Sequence, residues 1–375
     1  MAGPDTTRGG ASRRAFLGSA AAASAALAVG APARAAAPRG RAYRERARID
    51  VHAHHLAPAY VAALRAAGRS TIGGIPIPEW TPELALKFMD GHGIAVQLLS
   101  VSDPGVDFLP APDAAALART CNDYVAGVVR ARPDRFGAIA VVSLQDVAAA
   151  RAEVARALDV LEHDGIGLLS SSQGRYLGDP AFDGLLADLH RRRAWVFVHP
   201  TAVADTDKPA YSLPDFTAEY PFDTTRTIMS LLFNGAFHRY PRIRWHFAHG
   251  GGTVAMLRFR LTALTARAKL VGPVIGLPPA SSVLTEDSAE RALRRAFYDT
   301  ALIPERPALE AVSAMAGVNS MLFGSDWPFA GLLYGASGDP QPGLSEVFSD
   351  KQRHRIDRRN ARAQFRRLRD ASVPT

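Results

Sequence analysis

The sequence predicts an α/β fold, a (β/α)8 barrel with loop insertions on its mouth side. Three observations lead there. Short β-branched or apolar runs alternate with longer helix-period stretches, the pattern of a parallel α/β architecture. Eight such runs can be placed. Four of them, 49–51, 195–198, 243–248 and 320–323, end in His52-x-His54, His199-Pro200, His249-Gly250-Gly251-Gly252 and Gly324-Ser325-Asp326-Trp327-Pro328. In a (β/α)8 barrel the C-terminal strand ends converge on one mouth, so groups distant in sequence meet there.

In chain order the strands fall at residues 49–53, 96–101, 136–142, 166–170, 195–199, 243–249, 296–300 and 321–324. Each is a short run dominated by Val, Ile, Leu, Phe, Tyr or Ala. Helices are expected between them at 82–91, 113–132, 147–164, 180–193, 224–240, 253–270, 304–316 and 345–368. Helical spacing of apolar residues is clearest in Val154, Leu158 and Leu161 and in Leu185, Leu186 and Leu189. Segments 69–80, 201–222 and 272–282 are rich in Pro, Gly or Ser and read as loops. They follow the first, fifth and sixth strands, on the side where they can cover the mouth.

The chain has 375 residues, 47% of them hydrophobic, and a barrel of this kind takes about 250 before insertions. One catalytic domain, 48–375, behind an N-terminal extension is the simplest division. Within that extension, Ser12-Arg13-Arg14-Ala15-Phe16-Leu17 precedes an Ala-rich apolar run to about Val29 and then Ala33-Arg34-Ala35. Charge, apolar stretch and small-x-small cleavage site stand in the order of a twin-arginine export signal over 1–35, followed by a flexible mature N-terminus, 36–47. The apolar run is shorter than the roughly 20 residues of a membrane span. A periplasmic or secreted protein without an anchor is expected. Cys121 is the only cysteine, which rules out an intrachain disulfide and suits a small apolar group on a helix. The net charge is +8, but the arginines are dispersed and no basic and aromatic interleaving is visible, so no nucleic-acid partner is expected.

His52 and His54 are two apart on a strand, so both side chains face one way and reach a common centre, while His55 points elsewhere. With His199 and Asp326 they form a set of three imidazoles and a carboxylate, suited to one divalent ion, zinc first and manganese second. The glycines after His249 free its imidazole at the mouth. Near a cation its neutral form is favoured, and it can act as a base or hydrogen-bond donor. Arg226 is a candidate bidentate clamp for a substrate carboxylate. Phe222, Trp327 and Phe329 are candidate walls for a ring.

The motifs Ile49-Asp50-Val51-His52-Ala53-His54, His199-Pro200, His249-Gly250-Gly251 and Gly324-Ser325-Asp326-Trp327-Pro328, in that order, resemble the amidohydrolase superfamily. The similarity is to the branch of aminocarboxymuconate semialdehyde decarboxylase and the 6-methylsalicylate, γ-resorcylate and 5-carboxyvanillate decarboxylases, from about Arg48 to Arg367. Pro76-Ile77-Pro78-Glu79-Trp80 and Phe222-Asp223-Thr224-Thr225-Arg226 resemble the 6-methylsalicylate decarboxylase-like members. The resemblance implies that His52, His54, His199 and Asp326 hold one metal and that His249 is catalytic. Two-metal amidohydrolases carry a carboxylated lysine at the end of the fourth strand; here Ser170-Ser171-Ser172 stands there. The implied activity is non-oxidative decarboxylation of a small aromatic or enoic acid, foremost a 2-hydroxybenzoate such as 6-methylsalicylate. In the aromatic case Asp326 delivers the proton and His249 orients the substrate; in the muconate case His249 activates water. The alternative is a single-metal hydrolase of a lactone or amide. The branch also implies dimers or tetramers.

Overall fold

Eight strands pair in parallel and in chain order: β1 (Arg48–His54), β2 (Ile94–Ser100), β3 (Phe136–Val141), β4 (Gly165–Leu169), β5 (Trp195–His199), β6 (Arg244–Phe247), β7 (Phe297–Asp299) and β8 (Met321–Leu322). Backbone bonds then close the ring. Val51 N donates to Phe323 O (3.1 Å), Asp326 N to His52 O (2.7 Å) and His54 N to Trp327 O (2.8 Å). The (β/α)8 barrel expected from the sequence is the observed fold. The computed structural model describes residues 48–201, 213–267, 270, 274, 285–334 and 339–370. The expected leader 1–35, the segment 36–47 and all of the 272–282 loop except Val274 lie outside them. None of the described helices is long and apolar enough to cross a membrane.

Strand alternation sorts the core into layers. On β5, Trp195 and Phe197 join an apolar cluster with Ile49, Val51 and Leu98, and His199 follows on the same face; Val196 and Val198 join the cluster that receives the helices. The helices are α1 (Pro58–Ala66), α2 (Pro82–Gly91), α3 (Ala111–Ala131), α4 (Val147–Asp159), α5 (Asp183–Arg192), α6 (Glu219–Phe233), α7 (Ala236–Arg239), α8 (Val254–Ala266), α9 (Glu286–Arg295) and α10 (Arg306–Ala316). The spacing of Leu185, Leu186 and Leu189 does what the periodicity implies, since all three are fully buried. α4 starts where Asp146 caps it, accepting from Ala148 N and Ala149 N at 2.8 and 3.1 Å. Cys121 is buried in α3, and burial pushes its thiol up to about 12.

The departures from the expected elements have local causes. α1 and α9 are absent from the sequence reading. α9 buries only Ala289 and Leu293 among its ten residues, too narrow an apolar stripe to register as a period. The helix expected at 224–240 begins earlier, at Glu219, because Pro221 falls in the first turn where its missing N–H costs nothing; it breaks at Gly235, whose φ is 69°. The helix expected at 345–368 is five short pieces, Leu344–Val347, Asp350–His354, Arg355–Arg359, Asn360–Gln364 and Arg366–Asp370. Its middle turn widens to a π-turn where the Ile356 carbonyl accepts from Phe323 N (3.1 Å) at the end of β8. Two hairpins, Thr71–Ile72 with Ile75–Pro76 and Ser171–Ser172 with Arg175–Tyr176, lie in stretches expected to be loop or strand end.

Candidate metal centre and active site

β1 contributes two imidazoles to one point. His52 and His54 are fully buried, with Nε2 atoms 3.2 Å apart, and Asp326 Oδ1 lies 3.4 Å from the first and 3.0 Å from the second. His199, ending β5, completes the group: one ligand atom each from His52, His54, His199 and Asp326 lies within 4.8 Å of the others.

What each imidazole does with its other nitrogen decides which atom faces the centre. His52 Nδ1 lies 2.9 Å from Asp299 Oδ2, His54 Nδ1 lies 3.0 Å from Ser100 Oγ, and His199 Nδ1 lies 2.8 Å from Pro200 O. A carboxylate and a carbonyl can only accept. Ser100 Oγ spends its own hydrogen on Ala53 O (3.2 Å), so it accepts as well. All three Nδ1 atoms therefore carry the proton, and all three Nε2 lone pairs point inward with Asp326. Lone pairs converging at about 3 Å in a buried site require a positive charge between them. The electrostatics agree. Burial opposes charge on His52, yet the Asp299 and Asp326 carboxylates outweigh it and push its pKa up to about 10, so a proton on Nε2 supplies the positive charge there until a cation displaces it. Asp326 is held well below the usual carboxylate range, since His52 outweighs the effect of its burial. His199 and His54 are lowered by burial and remain neutral. A divalent cation fits this donor set.

Two carboxylates that the sequence reading did not single out hold the group in place. Asp299, at the end of β7 and fully buried, takes His52 Nδ1 and His246 Nε2 on Oδ2 (2.9 and 2.8 Å), and the backbone N–H groups of His249 and Ala301 on Oδ1 (both 3.0 Å). Asp50 accepts from Ser325 N (3.0 Å), Ser325 Oγ (2.6 Å), Gln97 Nε2 (3.0 Å) and His52 N (3.2 Å). It thereby pins the Gly324-Ser325-Asp326 turn to β1. Its own burial pushes its carboxyl up to about 6.

His249 and Asp326 both have left-handed backbones, with φ of 53° and 57°, a conformation that costs roughly 1–3 kcal/mol and concentrates at functional sites. His249 donates Nδ1–H to Ala301 O (3.1 Å), which leaves its Nε2 lone pair unspent, and its ring centroid stands 4.8 Å from that of His52. Burial lowers its pKa, so it is neutral.

Above this floor opens a cavity of about 310 Å³. His199, His249 and Asp326 line its base; Ile72, Ile75, Phe216, Tyr220, Leu302, Ile303, Phe329 and Leu333 form most of its wall. The loop after β1 and the described part of the segment after β5, 213–222, line the mouth as expected. Of the four expected substrate-contacting residues, Phe329 lines the cavity and the other three do not. Trp327 follows Asp326 directly, so its side chain leaves on the other side of the strand end and stacks on Phe88 of α2, centroids 5.4 Å apart. Phe222 is 46% exposed. Arg226 is exposed on α6 with its guanidinium beside Asp223 and Tyr176. His55, expected to be no ligand, packs between Trp80 and Tyr124. Tyr220 is a wall residue that the sequence reading missed; it sits inside a stretch taken as loop.

Residues 49–367 match the sequence profile of a family described as amidohydrolase. A 6-methylsalicylic acid decarboxylase from Aspergillus aculeatus is 38% identical over 289 residues, covering 76% of this chain and 84% of that protein. One from Penicillium expansum is 36% identical over 288 residues, covering 76% and 86%. A solved 5-carboxyvanillate decarboxylase from Novosphingobium aromaticivorans, complexed with manganese and a nitrobenzoic acid, has a TM-score of 0.71 at 20% identity and covers 85% of this chain and 95% of its own. With the profile spanning nearly the whole described barrel and relatives above one third identity, the chain belongs to the amidohydrolase family.

Proposed function

We propose that the protein is a metal-dependent, non-oxidative decarboxylase of a 2-hydroxybenzoate with an apolar group at its 6-position, of which 6-methylsalicylate is the simplest. The observation that carries the reading is the coincidence of a His3Asp donor set with an apolar cavity directly above it. No lysine or arginine lines the cavity among the described residues, so a single carboxylate finds its positive partner only at the floor. The mostly aliphatic and aromatic wall favours an alkyl substituent over a hydroxyl, which would exchange water for few partners at a cost of about 1–3 kcal/mol. A substrate with a second carboxylate, or the 2,6-dihydroxy acid, is disfavoured for that reason.

A divalent cation held by His52, His54, His199 and Asp326 would supply Lewis-acid chemistry at the cavity floor. Asp326, ionised beforehand, receives the phenol proton and returns it to the ring carbon that bears the carboxylate. The bond to the carboxylate carbon then breaks, its electron pair restores the aromatic ring, and CO2 leaves. His249, at the cavity floor beside His199, orients the ring. Ile72, Phe216 and Leu333 exclude water from the ring face. Three imidazoles with one carboxylate favour zinc by intrinsic affinity, and manganese competes by availability. The order of features in residues 1–35 supports twin-arginine export; mass spectrometry of the purified secreted protein, with an N-terminus near Ala36, is the check.

The test is CO2 release by the mature protein, loaded separately with zinc and manganese, across 2-hydroxybenzoates that include 6-methylsalicylate and 2,6-dihydroxybenzoate. Metal-dependent release that favours the 6-methyl acid and disappears in His249→Ala is expected. Silence across the panel with metal bound would overturn the reading and favour lactone or amide hydrolysis.

A further inference from the structure

The stretch Phe222-Asp223-Thr224-Thr225-Arg226 stands out in the sequence yet contributes nothing to the cavity wall. Two of its side chains instead reach the backbone behind two different site histidines. Asp223 is fully buried, and its Oδ2 accepts from Ser170 Oγ and from Thr201 N (3.4 Å). Ser170 sits just past β4, at the position where two-metal relatives carry their bridging lysine. Its N–H donates to His199 O (2.8 Å), and its Oγ accepts from Thr201 N (3.1 Å). The peptide groups on both sides of Pro200 are therefore fastened to Ser170, and Pro200 itself has no N–H to offer. Since His199 Nδ1 donates to Pro200 O, the direction of its Nε2 depends on a carbonyl that the Ser170 and Asp223 pair holds still.

Thr225 does the corresponding work for the next strand end. Its Oγ1 donates to Pro221 O (2.8 Å), accepts from Thr253 N (2.9 Å) and lies 2.8 Å from Thr253 Oγ1. Thr253 closes the glycine turn that begins at His249, where Gly252 N donates to His249 O (3.1 Å). The fit is close: a Cβ on Gly252 would stand 2.1 Å from Pro221 O.

We infer that the start of α6 is a positioning clamp, in which Asp223, through Ser170, aims the metal ligand His199, and Thr225, through Thr253, sets His249. A single rigid turn thus fixes the two histidines relative to each other, with ring centroids 5.7 Å apart. The catalytic half of the inference rests on the decarboxylase reading; the metal half does not.

The experiment compares Ser170→Ala, Asp223→Ala, Asp223→Asn and Thr225→Val with the wild type in the full mature chain. Zinc ion alone is titrated against a competing chromophoric chelator, with circular dichroism on each sample. Ser170→Ala and Asp223→Ala should weaken zinc about 10- to 100-fold, the usual effect of losing an outer partner of a ligand, and Asp223→Asn, which keeps an accepting oxygen, should recover most of it. Thr225→Val should hold zinc within about threefold, lower kcat about tenfold with little change in KM, and shift the His249 imidazole signal in the NMR spectrum of the zinc-loaded protein. Zinc binding at wild-type strength in folded Ser170→Ala overturns the Asp223 half, and an unmoved His249 signal in Thr225→Val overturns the other. If Asp223→Ala does not fold, Ser170→Ala still decides. A wild type that binds zinc but releases no CO2 refutes the decarboxylase, while the zinc titration and the imidazole signal continue to judge the clamp.

Discussion

Replacing Asp299 with Asn tests whether the inward orientation of the ligands is held from outside. The side chain is fully buried and accepts four hydrogen bonds, two per oxygen, from His52 Nδ1, His246 Nε2, His249 N and Ala301 N. Asn has one oxygen. If that oxygen stays with the two backbone N–H groups, which cannot reverse, the new NH2 faces His52 Nδ1 and His246 Nε2, both donors in the wild type. His52 can meet an NH2 only by moving its proton from Nδ1 to Nε2, the atom that faces the centre. Binding a cation must then return that proton to Nδ1, opposite a donor and without the charge-assisted bond that Asp299 gives the wild type, a loss of about 1.5–3 kcal/mol. That corresponds to roughly 10- to 150-fold in metal affinity, close to the 10- to 100-fold range for such outer partners generally. Competition with a chromophoric chelator at pH 7 measures it. A folded Asp299→Asn that binds zinc within threefold of wild type would refute the tautomer argument.

Two further outcomes are expected. His163 is buried away from the site, and burial lowers its pKa from 6.5 to about 4. It is neutral in the fold and must take a proton in the unfolded chain below pH 6.5, so its contribution is complete above pH 6.5 and is lost as the pH falls through 4, up to about 3 kcal/mol. Urea titrations at pH 7 and pH 4 should show His163→Leu losing less stability over that interval than wild type by roughly this amount; equal losses would refute it. Gly252→Ala places a Cβ 2.1 Å from Pro221 O at a φ of 67°, whereas Gly174→Ala meets nothing within 4 Å at a φ of 75°. Backbone strain is common to both, about 1–3 kcal/mol, so thermal or urea unfolding should find Gly252→Ala worse by at least about another 1–3 kcal/mol from overpacking; equal destabilisation would mean that the turn yields.

The parts of the site visible in the sequence are those whose signal is local. His52 and His54 are two apart at the end of an apolar run, and His199 ends another, so strand period and strand end together place them at one mouth. Asp299 gives no such signal. It lies inside Phe297-Tyr298-Asp299-Thr300, where a single acid in a short β run could face the helices, the barrel or the solvent, and only the closed ring brings it under His52. Asp50 was quoted within a motif, but its bond to Ser325 spans 275 positions, beyond any periodic pattern. The aromatic candidates erred for a related reason. Adjacency to Asp326 in sequence places Trp327 on the opposite side of the strand end, while Phe329 opens a 3-10 turn, Phe329–Leu333, that folds back over the cavity.

Asp223 shows what the helix pattern alone misreads. On α6 it is buried and Arg226, three positions on, is exposed, so the arginine that could clamp a substrate carboxylate instead lies beside the acid that steadies His199. Removing it as a clamp changes the substrate argument. With no cation in the described wall, the only strong attraction for an anion is at the floor, and the floor itself is assembled at a cost. Asp50, Asp299 and Asp326, together with His52, His54, His199, His246 and His249, are all buried within one barrel end. Polar groups gathered this way destabilise a fold unless every one is paired. The outer bonds pair the Nδ1 atoms of His52, His54, His199 and His249 and the Asp50 and Asp299 oxygens, and they leave the Nε2 atoms of His52, His54 and His199 for a cation. The same bonds that orient the ligands would therefore make a bound cation part of the stability of the barrel mouth, beneath a cavity whose described wall carries no lysine or arginine.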